Sequence, residues 1–143
     1  QLAQFEQFYR VHMAAPFQLN RALAPKLAGN PNASIIHITD IYIHAPAPQF
    51  AAYVATKAGA HSLAMSFARE LAPAVRVNTI EPGPILFLDE HGDAWRQQVL
   101  ARTPLAREGG LEPIWQAVRL LMTNDYMTGA SIRVDGGRAL AVI

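Results

Sequence analysis

Tyr53 and Lys57 stand four residues apart in a stretch whose composition predicts a helix, a spacing that brings both side chains out on one face, one turn apart. They can share a site. A tyrosine hydroxyl ordinarily ionises near pH ~10 and is a poor proton donor or acceptor at neutral pH, but a neighbouring ammonium favours the phenolate and lowers that value. Lys57 could supply the charge. Tyr and Lys at this spacing are also common on a solvated helix face, so the elements around the pair decide between the two readings.

The helix carrying the pair is expected from about Phe50 to Leu71, with Leu63, Phe67 and Leu71 as its core stripe. Ala51, Ala52, Ala55, Ala58, Gly59 and Ala60 give it a small-residue surface that another backbone could approach closely. Before it, Ser34–Thr39 is short and β-branched, as suits a strand buried on both faces of a parallel sheet, and Asp40–Gln49 is expected to be a loop. After it, Val75–Ile80 is a second strand, ended by Glu81-Pro82-Gly83-Pro84. Two buried strands joined by one helix make a parallel βαβ crossover. Upstream, Phe5, Phe8, His12, Ala15, Leu19, Leu23 and Leu27 recur at helical steps, which predicts a helix over Phe5–Leu27, bent at Pro16 and closed by Pro25 and the Gly29–Asn32 turn. Downstream, a short helix over Asp93–Arg102, a better one over Glu112–Thr123 and a last strand at Ala130–Val134 lead into Asp135-Gly136-Gly137. Leu86–Asp89 and the short helix after it suit a lid-like insertion.

With 143 residues, 51% of them hydrophobic and 16% charged, the chain has the length and composition of one well-buried globular unit, and intrinsic disorder is excluded. The formal charge of +1 is spread without a basic stripe, so nucleic-acid binding has no support. The absence of cysteine excludes disulfides, thiolate metal sites and cysteine nucleophiles. No run approaches the roughly 20 apolar residues of a membrane span. His37, inside a strand, reads as a satisfied core histidine, and His44, His61 and His91 as surface or loop residues; no metal site is expected.

Taken in order, Ser34–Thr39, Asp40, Tyr53-Val54-Ala55-Thr56-Lys57, Asn78 with Pro82-Gly83, Thr128-Gly129 and Asp135-Gly136-Gly137 closely resemble the short-chain dehydrogenases/reductases over essentially the whole chain. The combination of Y-x-x-x-K, N-x-x-x-P-G and a terminal D-G-G is far more specific than any one of them. In most members a serine stands about thirteen residues before the tyrosine and hydrogen-bonds the substrate oxygen; here that position is Asp40. An aspartate there resembles the pteridine reductase branch, and Ile35–Asp40, Ser66–Arg69 and Ile85–Phe87 are similar to bacterial dihydromonapterin reductases. His12 falls where many relatives have an asparagine that holds a water of a proton relay.

The resemblance implies an α/β, Rossmann-like doubly wound parallel sheet, and NADPH-dependent reduction of 7,8-dihydromonapterin to the tetrahydro form with weak dihydrofolate reduction. An inactive truncated chain and a carbonyl or alcohol dehydrogenase are the alternatives. Tyr53, Lys57 and Asp40 would be catalytic. Tyr53 and Lys57 would also touch the nicotinamide ribose, and Pro82, Gly83 and Ile85 the carboxamide. Asp40 could accept hydrogen bonds from the pterin or, if burial raises its pKa, share a proton with the phenol, or it could simply cap the turn after a strand. Phe87 and Trp95 could stack on the pterin or pack in the core. Asp135-Gly136-Gly137 is expected to be a structural turn near a subunit interface. The family's partners would be a pterin substrate and a second copy, as homodimer or homotetramer, in the cytoplasm. The chain lacks the G-x-x-x-G-x-G turn and N-N-A-G of a complete member, and so matches the C-terminal part of a single domain, with roughly the first 100 residues absent.

Overall fold

Val77 and Ile80 have no exposed surface, and the strand that carries them lies at the centre of the sheet. The computed structural model describes residues 1–142. Three parallel strands, β1 (Ser34–Ile38), β2 (Arg76–Pro82) and β3 (Ser131–Val134), pair in the order β1-β2-β3. The register sets Ile38 opposite Ile80 and Pro82 opposite Val134. β2 runs two residues past its expected end because Thr79–Pro82 pair with β3, and proline is tolerated as the last residue of the strand. β1 is half-buried rather than enclosed on both faces, and Ile38 is exposed, because β1 has a strand on one side only.

Helices cover both faces of the sheet, as expected of a doubly wound fold. On one side lies α3 (Ala51–Leu71), where Ala64, Phe67 and Ala68 pack on Val77. The alanines form the contact face, and of the expected stripe only Phe67 is fully buried while Leu63 and Leu71 are at its margins. On the other side α5 (Leu111–Thr123) sets Ala117 and Leu121 on Ile80, with Ile36 and Ile132 beside them. Between β2 and α5 lies α4 (Asp93–Ala101), and Arg138–Val142 forms a last short helix, α6. Among the described residues no helix is long and apolar enough to cross a membrane.

The first helical rod is α1 (Leu2–Tyr9), a π-helical turn over Arg10–Ala14, and α2 (Ala15–Leu27). The widened turn, closed by the Ala15 N–H on the Arg10 carbonyl, lies immediately before Pro16, whose missing N–H an ordinary helix could not accommodate. The disturbance expected at Pro16 therefore takes the form of one extra residue in a turn. That residue displaces the inward face. Phe8 and His12 point inward as their spacing predicts, but beyond the turn Asn20 and Ala24 are buried while Leu19 and Leu23 are exposed. Pro25 lies within α2 rather than closing it; the end comes two residues later, where the Asn30 amide donates to the carbonyls of Lys26 and Leu27 at 3.0 and 3.3 Å.

Asn20 Nδ2 lies 2.9 Å from Nε2 of His37, which is the satisfied core histidine the sequence suggests. Burial holds the His37 pKa below its ordinary value. The folded chain thus binds fewer protons here than the unfolded one, so this contribution to stability is complete above the ordinary histidine value and is lost as pH falls through and below it. Urea midpoints measured at pH 7 and pH 5 are expected to show that loss, and a His37→Gln variant to show less of it; an equal loss in both would assign the acid sensitivity elsewhere.

Candidate active site

The carboxyl ends of β1 and β2 open on one cavity of about 800 Å³. Ligands of open parallel sheets bind at that end of the strands. Asp40 follows β1 with extended backbone and caps the 3₁₀ turn Ile41–Ile43, its Oδ1 accepting from the Tyr42 N–H at 2.8 Å. The expected loop thus contains this turn and a second one at Pro48–Phe50. The cap leaves Oδ2 free to accept from the Tyr53 hydroxyl at 3.2 Å. Asp40 is therefore both a turn cap and a partner of Tyr53. Lys57, one turn further along α3, donates from Nζ to the Ile38 carbonyl at 3.1 Å and stands 5.7 Å from the centre of the Tyr53 ring.

Burial raises the Asp40 pKa, against the lowering effects of the Tyr42 and Tyr53 hydrogen bonds and the Lys57 charge. Tyr53 is raised too, by burial first, then by the Asp40 charge and hydrogen bond. Lys57 does not bring the phenol down as the Tyr-x-x-x-Lys spacing suggests: its ammonium is bound to a backbone carbonyl, and burial, followed by the carboxylate in direct contact with the phenol, acts the other way. Burial also lowers Lys57 itself, with Asp40 opposing. The upward shift brings Asp40 toward the range in which a group exchanges protons at neutral pH, whereas Tyr53, held above an ordinary phenol, is a weaker acid than a free one.

His12 braces the far side of Tyr53. Its ring stacks on Phe8 at 5.6 Å and meets the Tyr53 ring edge-on at 5.3 Å. Thr56 Oγ1 donates to the Tyr53 carbonyl at 2.8 Å, so the 2.8 Å contact between His12 Nδ1 and Thr56 Oγ1 uses the Nδ1–H. Burial, then the Lys57 charge, lowers the His12 pKa. The small-residue surface of α3 is used here, where Gly59 faces Met13 of the π turn; a Cβ at Gly59 would fall 2.5 Å from the Met13 Cε.

Pro82 and Gly83 line the cavity, whereas Ile85 does not: it turns to a second cavity on the other side of the Pro84 backbone, against Gly109. Ile85 and Leu86, directly after the Pro-Gly-Pro segment, line different cavities, which the motif alone could not reveal. At Gly83 a Cβ would fall 2.6 and 2.7 Å from the Asp135 Cβ and Cα. Backbone has to move to admit it. Gly83→Ala is therefore expected to cost roughly 2 kcal/mol, measured as a lower urea midpoint at unchanged slope; an unchanged midpoint would show that the Asp135 turn yields freely. That turn is the structural one expected, with the Asp135 carboxylate accepting from the N–H groups of Gly137 and Ala139.

Phe87 and Trp95 form the opposite wall, edge to face at 5.4 Å. His91 lies 4.4 Å from Trp95, half-buried in the same cluster, although its place before a short helix suggests only a loop residue. Arg138 also lines the cavity, tied to the Val99 carbonyl at 2.9 Å, a position the sequence does not signal. Glu81 is likewise unanticipated: it is 2% exposed, and both His44, an exposed loop residue as expected, and the half-buried His61 turn toward it. Among the described residues no cluster of His, Asp and Glu is arranged to hold a metal.

Residues 1–139 match the family model described as enoyl-(acyl carrier protein) reductase. A dihydromonapterin reductase of Klebsiella pneumoniae is 41% identical over 133 residues, covering 92% of this chain and 55% of the relative. One from Escherichia coli O6:H1 is 40% identical over 134 residues, again 92% and 55%. Among solved structures, FolM alternative dihydrofolate reductase 1 from Brucella canis, complexed with NADP, superposes with a TM-score of 0.90 at 28% identity, over 98% of this chain and 56% of that one. An apo SCOR enzyme from Clostridium thermocellum gives 0.86 at 30%, over 100% and 56%. The chain spans about half the length of the curated relatives it matches.

Proposed function

As the chain belongs to the short-chain dehydrogenase/reductase family, we propose that its protein reduces the C=N bond of a dihydropterin, 7,8-dihydromonapterin first and dihydrofolate more slowly, with NADPH. The hydrogen bond between the Tyr53 hydroxyl and the Asp40 carboxylate carries this reading. Both reductions put a hydride on carbon, but a carbonyl takes its proton on oxygen and C=N on nitrogen, and the Asp40 carboxyl beside the phenol suits the basic nitrogens of a pterin. The dihydromonapterin reductases of the comparison and the NADP held by the Brucella protein support the substrate class and the cofactor.

A bound nicotinamide supplies the hydride. The residues present fit it: the Pro82-Gly83-Pro84 edge gives the cavity a rigid wall. Tyr53 and Lys57 would hold the ribose hydroxyls, and Pro82, Gly83 and Ile85 would approach the carboxamide, Ile85 by its backbone because its side chain packs against Gly109. Tyr53 and Asp40 hold the proton that ends on nitrogen. Phe87 and Trp95 flank the flat ring and exclude water. The exposed apolar side chains along α1 and α2, among them Phe5 and Phe17, support assembly as a homodimer or homotetramer.

Steady-state oxidation of NADPH by the intact protein tests the reading. Turnover with 7,8-dihydromonapterin should exceed that with dihydrofolate, and both should exceed simple ketones; faster ketone reduction would overturn it in favour of a carbonyl reductase. The same assay with NADH tests the cofactor.

A further inference from the structure

One turn beyond Asp40 lies an ionisable cluster that the chemistry above does not use. Both oxygens of the buried Glu81 carboxylate lie 3.0 Å from Nε2 of His44. Arg133 of β3 brings its Nε to 3.6 Å, and His61 of α3 its Nδ1 to 4.0 Å. The two histidine rings stand edge to face at 6.3 Å. With Asp40, these groups are the charged or titratable side chains facing Glu81 from the loop, α3, β3 and the end of β1.

Its location gives the cluster a use. His44 closes the turn that Asp40 caps, its N–H pointing at the Ile41 carbonyl at 3.4 Å. Glu81 directly precedes Pro82 and Gly83, which line the cavity. The His44–Glu81 contact therefore fastens the segment that aims Asp40 to the strand end that forms the cavity wall. Resting on the role given above to Asp40 and Tyr53, we propose that Glu81 is a positioning residue that, through His44, fixes the Asp40–His44 turn and so the aim of the Asp40 carboxyl. A second anion near a carboxyl disfavours its ionisation, so the Glu81 charge adds to the larger effect of burial in raising Asp40.

Glu81→Gln keeps an oxygen for His44 and removes the charge; Glu81→Ala removes both. In the intact protein labelled with ¹³C at aspartate carboxyls, Asp40, assigned by loss of its signal in Asp40→Asn, is expected to titrate at lower pH in Glu81→Gln than in wild type. The high-pH limb of kcat should move down with it, and KM should stay within about twofold. Glu81→Ala should lose roughly ten- to hundredfold in kcat as the carboxyl loses its aim, and His44→Phe, which breaks the same tie, should reproduce most of that loss if Glu81→Ala does not fold. A lower melting temperature with Asp40 titrating as in wild type would overturn the proposal and leave Glu81 a structural ion pair. The carboxyl titration needs no turnover, so it stands or falls apart from the dihydropterin reading, which fails on the substrate comparison instead.

Discussion

Tyr53→Phe is expected to lower kcat of the intact protein by roughly 10² to 10⁴-fold, the range associated with a positioned proton donor, while NADPH still binds. The substitution removes one atom. The ring keeps its edge-on contacts with Phe8 and His12, so the helix face is not repacked. What disappears is the hydroxyl that Asp40 accepts from at 3.2 Å, and with it the proton that burial and the neighbouring carboxylate hold on the phenol. Tryptophan-to-NADPH energy transfer measures binding and stopped-flow oxidation measures turnover. Turnover within a few-fold of wild type would remove Tyr53 from the chemistry and leave the proton to Asp40 alone.

Asp40→Asn is expected to lower kcat by roughly 10²-fold with a smaller effect on stability, because asparagine can still accept the Tyr42 N–H that Asp40 holds at 2.8 Å and so preserve the turn. It also changes Tyr53 in a defined direction. Two of the three influences that raise the phenol, the Asp40 charge and its hydrogen bond, are removed, leaving burial. Tyr53 should then ionise at lower pH than in wild type. Subtracting the ultraviolet alkaline titration of Asp40→Asn/Tyr53→Phe from that of Asp40→Asn isolates this one phenol among the four tyrosines. An unshifted Tyr53 would mean that burial alone sets its proton affinity and that the contact with Asp40 is electrostatically idle.

The sheet and its helices were legible because β-branched runs and the Tyr-x-x-x-Lys helix each express one strong period, and the short Asp40–Tyr53 separation along the chain meant that one loop had to bring the two together. Side-chain direction was less legible. Ile85 sits in the right motif but follows two prolines, and which side of a rigid backbone it takes depends on Gly109 across the fold. The Glu81 cluster was hidden because its members come from four elements and stand at no repeating interval; His44, His61 and Arg133 converge only after β2 and β3 have paired. The direction of the Tyr53 shift was hidden for a similar reason, since the spacing names Lys57 as a neighbour but cannot show that its ammonium is bound to the Ile38 carbonyl.

The π-helical turn at Arg10–Ala14 works as a phase coupling between two lengths of one rod. Phe8 ahead of it and His12 within it are indexed to Tyr53; behind it, Asn20 and Ala24 are indexed to the sheet, with Asn20 on His37. Deleting one residue from the turn would rejoin the two lengths as an unbroken α-helix with Asn20 and Ala24 still inward, whereas keeping every residue and tightening the turn to α-helical form would rotate α2 by about 100°. Leu19 and Leu23 would then rotate toward the sheet, a gain in apolar contact, but only by swinging the His12 length off the phenol or by evicting Asn20 from its histidine. The extra residue therefore keeps His12 on the phenol and Asn20 on its histidine along one rod, and leaves the more apolar seam of Leu19 and Leu23 outside.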